Sequence, residues 1–165
     1  MVPAERMQEL LRRSFAMRAA FYAETYDVLR EKFGRDEAMR LCLEMTRRMG
    51  EKMGKAFTRH GPADLAGLKD AFLGGIIEGE ALFAPELKRC DGELLAIDFH
   101  RCPLKEAWAA AGRDDADLED LCLIAGRIDT GLFETAGFAF AGETWKPGES
   151  GCCKLRVLPG PPRRA

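Results

Sequence analysis

The stretch ELLAIDFHRC, residues 93–102, decides the fold, because the spacing of apolar residues changes there. Leu95, Ile97 and Phe99 point one way and Leu94, Ala96, Asp98, His100 and Cys102 the other, which is the two-residue alternation of a strand. Upstream the period is helical. Pro3 to about Phe33 holds no Gly and no second Pro, and Met7, Leu10, Leu11, Phe21, Val28 and Leu29 recur near helical spacing, so a long helix ending at Gly34 is expected. A second helix is expected from about Asp36 to Arg59, with Ala38, Leu41, Cys42, Met45, Met49 and Met53 as its core stripe. His60-Gly61-Pro62 stops it. A weaker third helix covers about Ala63 to Phe83, where the Gly74-Gly75 pair permits close packing or a bend.

Downstream, Pro103 ends the strand and opens a short helix to about Ala111. The acids of residues 114–117 cap a longer helix from about Ala116 to Ala136. Residues 138–145 and 151–158 read as a hairpin joined through Lys146-Pro147-Gly148-Glu149-Ser150. The pattern is an α+β fold: a helical N-terminal half, then a small, mostly antiparallel sheet packed against helices. It forms one domain over residues 1–158, helical over about 3–83 and strand, helix and hairpin over about 93–158, with 159–165 a flexible tail.

Composition narrows the function. Lys plus Arg number 25 against 27 Asp plus Glu, a net charge of -2 that offers no electrostatic footprint for nucleic acid or an anionic membrane. The apolar runs fall short of the roughly 18 residues a membrane helix needs, and charge appears within Met1 to Glu9 with no apolar segment behind it, so a cytoplasmic protein is expected. Six Cys accompany only two His. In a reducing compartment such a surplus points to packing, metal binding or chemistry rather than disulfides.

The strongest chemical signal is Asp129. A wheel at about 100 degrees per residue sets it near the centre of the face formed by Leu118, Leu121, Cys122, Ala125, Leu132 and Phe133. A carboxylate there is hydrogen-bonded, paired with a cation, or held protonated, conditions met at active sites and in structural pairs alike. The second signal is the strand face Asp98, His100, Cys102, in which His100 could act as base for a Cys102 nucleophile oriented by Asp98. Cys102 precedes Pro103, where a helix start would favour a thiolate. A solvent-facing strand side explains Asp98 and His100 equally well.

The other cysteines divide. Cys42 reads as core, Cys122 as core or as lining the Asp129 pocket, and Cys90 sits in a turn. Alternation along the last strand turns Cys153 inward with Leu155 and Val157 and sends Cys152 outward. A zinc site from Cys102, Cys122 and one of that pair lacks any C-x2-C or H-x3-H spacing, so no metal and no cofactor are expected. Arg101 is the better candidate to hold a substrate carboxylate, since the wheel places Arg127 in solvent. Trp108 and Trp145 read as core or pocket wall, and His60 as a helix-end residue. Nucleotide, zinc-protease and serine-hydrolase motifs are absent from the sequence.

With these residues in view, the second half resembles the L-2-amino-thiazoline-4-carboxylic acid hydrolase family. The resemblance is carried by Arg101-Cys102-Pro103-Leu104 with Trp108, Leu121-Cys122 with Asp129, Ala136-Gly137-Phe138, and Thr144-Trp145-Lys146-Pro147-Gly148 leading to Gly151-Cys152-Cys153, over roughly residues 98–157. It implies opening of a small cyclic amidine-like thiazoline by water or thiol attack, with Asp129, Cys102 and His100 catalytic and Arg101, Cys122, Cys152, Trp108 and Trp145 binding substrate. The alternative is a non-catalytic sensor. Cys122 to Gly126, Glu143 and the closing Gly-x-Cys are similar to the small-molecule-binding domain named after vinyl reductase. The expected partner is thus a small molecule, and the apolar stripes of the first two helices would also serve a homo-oligomer interface.

Overall fold

The computed structural model describes residues 3–76 and 78–161. Helix α1 (Ala4–Phe33) and helix α2 (Arg35–Gly54) form a long antiparallel pair hinged at Gly34, followed by a short 3-10 turn, Lys55–Phe57. Helix α3 (Leu65–Gly74) begins at Asp64, whose carboxylate accepts the Gly67 N–H. The expected third helix is divided: α3 ends at the glycine pair, and a single turn α4 (Gly79–Leu82) follows. His60 does not bond the last helical carbonyls through its ring; Nδ1 pairs with Asp64 and Nε2 receives Arg59 Nε.

Strand β1 (Pro85–Cys90) was not expected, and Cys90 ends a strand rather than sitting in a turn. It is a sheet edge whose central residues face solvent, so its polar sequence carries no alternation to read. Strand β2 (Leu95–Phe99) is shorter than the alternation suggested and buried on both sides at Leu95, Ala96 and Ile97. Helix α5 (Pro103–Ala110) starts on Cys102, and helix α6 (Asp115–Ala136) on Asp114, whose side chain accepts the Asp117 N–H. The hairpin strands β3 (Ala139–Glu143) and β4 (Lys154–Leu158) complete an all-antiparallel sheet of order β1-β2-β4-β3, in which Ile97 stands opposite Leu155.

Two apolar clusters fill the molecule. One joins α1, α2, α5 and the first half of α6 around Tyr26, Trp108, Leu121 and Ile124. The other packs the sheet and α3 against the second half of α6 around Leu68, Ile97, Phe133 and Val157. Helix α6 crosses α2 at backbone contact: a Cβ on Gly50 would collide with the Ile128 carbonyl, and one on Gly131 with the Arg47 carbonyl. The buried residues of α2 are therefore mostly small, Ala38, Cys42, Thr46, Gly50 and Gly54, with Met39 the one large member. The methionine stripe is not core: Met45, Met49 and Met53 are 40%, 53% and 44% exposed, because close approach of α6 needs small residues on the face beside them.

The C-terminal strand does not simply give way to a tail. Gly160 N–H donates to the Pro62 carbonyl at 2.9 Å; residues 162–165 of the expected tail lie outside the described residues. Among the described residues no helix is long and apolar enough to cross a membrane.

Candidate functional site

The site forms where the N-terminus of α5, the middle of α6 and the bend before β4 meet. Asp129 is placed there by the same helical face that carries Cys122 one stripe away, two turns earlier. Its carboxyl is enclosed by protein except where it borders a cavity of about 80 Å³, also bordered by Arg127, Thr130, Glu143, Thr144 and Cys153. No hydrogen bond or ion pair reaches it among the described residues. Burial, reinforced by negative charge at Cys152, pushes its pKa up to about 7. Tyr22 of α1 lies within electrostatic range, and its own hydroxyl is raised chiefly by burial.

The cysteines converge more closely than their sequence positions suggest. The sulfurs of Cys152 and Cys153 lie 3.5 Å apart, and Cys102 and Cys122 lie within electrostatic range of Cys152. Their mutual interaction lowers the Cys152 thiol and, together with burial, raises those of Cys102, Cys122 and Cys153. Lys105 adds a cation: its ammonium donates to the Gly151 carbonyl at 2.9 Å and lies 4.4 Å from the centre of the Trp145 ring. Inward and outward are exchanged for the pair: Cys152 is buried and Cys153 borders the cavity. The alternation does not reach them because β4 starts at Lys154, and Gly151, at φ +83°, bends the chain ahead of it.

Several expected roles find different geometry. His100 is exposed, outside β2, and its Nε2 sits 2.8 Å from Glu86 Oε2, so it is engaged away from the sulfurs. Asp98 lies across from Lys154, with Arg156 Nη2 at 2.7 Å in an ion pair that lacks hydrogen-bond geometry, and orients neither His100 nor Cys102. The short strand is the reason: the common face of residues 98, 100 and 102 ends at Phe99. Arg101 is spent on Glu106 through two bonds of 2.8 and 2.9 Å and on the Ala81 carbonyl, so it is not free to clamp a carboxylate at the cavity. Arg127, set aside as solvent-facing, is exposed but borders the cavity and has no ion-pair partner among the described residues.

Trp108 and Trp145 are buried walls, their indole N–H groups donating to the carbonyls of Ala19 (2.7 Å) and Glu149 (2.9 Å). Lys105 and Tyr22 escaped the sequence reading. Lys105 could have been noticed as the residue one turn after Cys102, whereas nothing local relates Tyr22 to Asp129. The sulfurs do not form a recognisable ion cage: among the described residues no group of three or more His, Cys, Asp or Glu is disposed to hold a metal.

Chemically, this arrangement offers a carboxyl poised near neutrality, a group of cysteine sulfurs behind it, and a guanidinium at the mouth with no ion-pair partner among the described residues. Residues 14–156 match the family described as L-2-amino-thiazoline-4-carboxylic acid hydrolase, so the resemblance read from residues 98–157 extends back through most of the helical half. No protein of curated function matches the chain.

Proposed function

The chain belongs to the L-2-amino-thiazoline-4-carboxylic acid hydrolase family, and on that premise we propose that it hydrolyses a small cyclic amidine bearing a carboxylate, with Asp129 as the acid and base. The observation that carries this reading is a carboxyl with a pKa near 7 bordering a cavity. At about 80 Å³ the cavity is well under the roughly 300–1,000 Å³ of pockets for drug-sized ligands, which limits the ligand to a small ring with its substituents at the mouth.

The protonated carboxyl of Asp129 gives its proton to the ring nitrogen, leaving the carbon between nitrogen and sulfur electrophilic. The resulting carboxylate takes a proton from water as the water oxygen bonds to that carbon. Collapse breaks the carbon–sulfur bond; Asp129 delivers a proton to the departing sulfur and recovers one from the new hydroxyl, which becomes a urea carbonyl. Arg127, rather than Arg101, holds the substrate carboxylate at the mouth. Thiol attack is the less favoured route, because the sulfur that borders the cavity, Cys153, is kept protonated by its bond to Cys152.

The test is steady-state kinetics on a set of thiazoline carboxylates. Because the acid form initiates the reaction, kcat/KM is expected to fall as pH rises through about 7. Asp129→Asn should lower kcat by roughly 10²- to 10⁴-fold, the usual worth of a positioned acid or base. Full turnover by that variant on every thiazoline tried would remove the acid–base role, and ligand binding with no turnover by the unaltered chain would favour the sensor alternative.

A further inference from the structure

Large apolar side chains stand exposed at twelve positions among the described residues, and nine of the twelve belong to α1 and α2, so the exposure forms one patch rather than a scatter. On α1, Met7, Leu10, Met17, Phe21 and Val28 follow steps of three, seven, four and seven, with Ser14 and Glu24 at the two positions that complete the three-four alternation of a coiled-coil seam. The inner face of this helix is a separate one. Ala19, Ala23 and Tyr26 are buried in the core, and at about 100° per residue the seam lies on roughly the opposite side of the helix. Met17 and Phe21, at the centre of the seam, are 77% and 73% exposed, more than any other large apolar side chain described. Beyond Phe21 the patch continues across a groove of about 590 Å³ to Met45 and Met49 of α2. The hydrolytic steps at Asp129 use none of these residues.

We propose that this patch is the interface of a homodimer, in which α1 packs antiparallel along α1 of a second copy about a two-fold axis. The charges beside the seam select both the partner and its direction. Arg6, Arg13, Glu24 and Glu31 lie on one flank of it, basic toward the N-terminal end and acidic toward the C-terminal end. In an antiparallel pair a single register sets Arg13 beside the partner's Glu24 and Arg6 beside the partner's Glu31, and the two-fold axis repeats both pairs. A parallel pair would instead bring each glutamate against its own counterpart. Arg6, Glu24 and Glu31 have no ion-pair partner among the described residues, and Arg13 holds only Glu9, one turn away at 2.8 Å. The area is sufficient. Helices of about 45 and 30 Å, each about 10 Å across, present on the order of 750 Å² per copy, near the roughly 800 Å² that a stable interface buries on each partner. A small molecule seated in the groove would leave Met7, Leu10, Met17 and Val28 in water, whereas a second copy covers them.

The test needs no substrate and is independent of the hydrolase reading. The full chain at micromolar concentration is examined by sedimentation equilibrium, and the expected mass is twice the 18.3 kDa of one chain. Met17→Glu and Phe21→Glu alter exposed positions and leave the core intact, so each is expected to sediment as a single chain with native circular dichroism. Arg13→Glu alone should weaken dimerisation roughly tenfold, through two like-charged pairs per dimer, and Arg13→Glu combined with Glu24→Arg should restore it. Unaltered protein at the mass of one chain would overturn the proposal, whether its groove stays empty or takes up a small amphipath such as laurate. A dimer that survives both glutamate substitutions would overturn it as well, and a charge exchange that restores nothing would overturn the antiparallel register.

Discussion

Two carboxylates nine residues apart on α6 show how partners, rather than burial, set a residue's character. Asp120 is 6% exposed and fully engaged: Tyr26 donates from 2.6 Å, and Arg35 contributes Nε at 2.9 Å and Nη2 at 2.5 Å. Burial, followed by the bond to Asp120, pushes the Tyr26 hydroxyl up to about 12. Asp129 is enclosed without such partners, and its pKa rises instead. The consequence for stability has a definite sign. Since the folded protein holds the Asp129 proton more tightly than the unfolded chain does, this group's contribution falls as pH rises from about 4 to about 7 and is level above that. Asp129→Asn, which mimics the protonated form, should therefore gain stability relative to the unaltered chain on going from pH 4 to pH 8, by a few kcal/mol at most. Urea midpoints at the two pH values measure it, and an equal difference at both would show that Asp129 does not change protonation on folding. The periodicity of residues 118–136 was enough to find Asp129. Asp120 was not singled out, because its partners come from two distant helices.

At the scale of elements, the crossing of α2 and α6 positions the site, and glycine makes it possible. Gly50 and Gly131 let each helix touch the other's backbone, which sets the depth at which Asp129 faces the sulfurs. Gly131→Ala should cost about 3 kcal/mol or more through overpacking, read from the denaturant midpoint, whereas alanine at exposed Gly92, where a Cβ meets nothing, should change it by no more than about 0.5 kcal/mol. The same crossing explains a misreading. Apolar periodicity marks Met45, Met49 and Met53 as the inward face of α2, yet a helix approached at backbone distance buries its small residues and leaves the large ones at the rim. Met45 and Met49, with Phe21 at 73% exposure, flank a groove of about 590 Å³ between α1 and α2. β1 escaped notice for a related reason: an edge strand facing solvent needs no apolar pattern, only a neighbour to pair with.

Across the whole molecule, α6 is the shared member of both apolar clusters, contributing Leu121 and Ile124 to one and Leu132 and Phe133 to the other. The helical half and the sheet half should therefore unfold together. Trp108 and Trp145 fluorescence, which reports the first cluster, should follow the same denaturant curve as far-UV circular dichroism; separated transitions would show that the halves are independent. The sequence by itself determined the element types apart from β1, the antiparallel hairpin, the acidic cap at Asp114 and the inward aim of Asp129, because each follows from periodicity or turn chemistry within some twenty residues. Only the tertiary structure decided that Cys153 borders the cavity while Cys152 is buried, that Lys105 reaches the Gly151 carbonyl beside them, and that His100 and Arg101 are committed to Glu86 and Glu106. Those outcomes depend on where α5, α6 and the bend at Gly151 come to rest against one another, and a charge or a thiol takes its chemistry from whatever side chains that packing brings within a few ångströms.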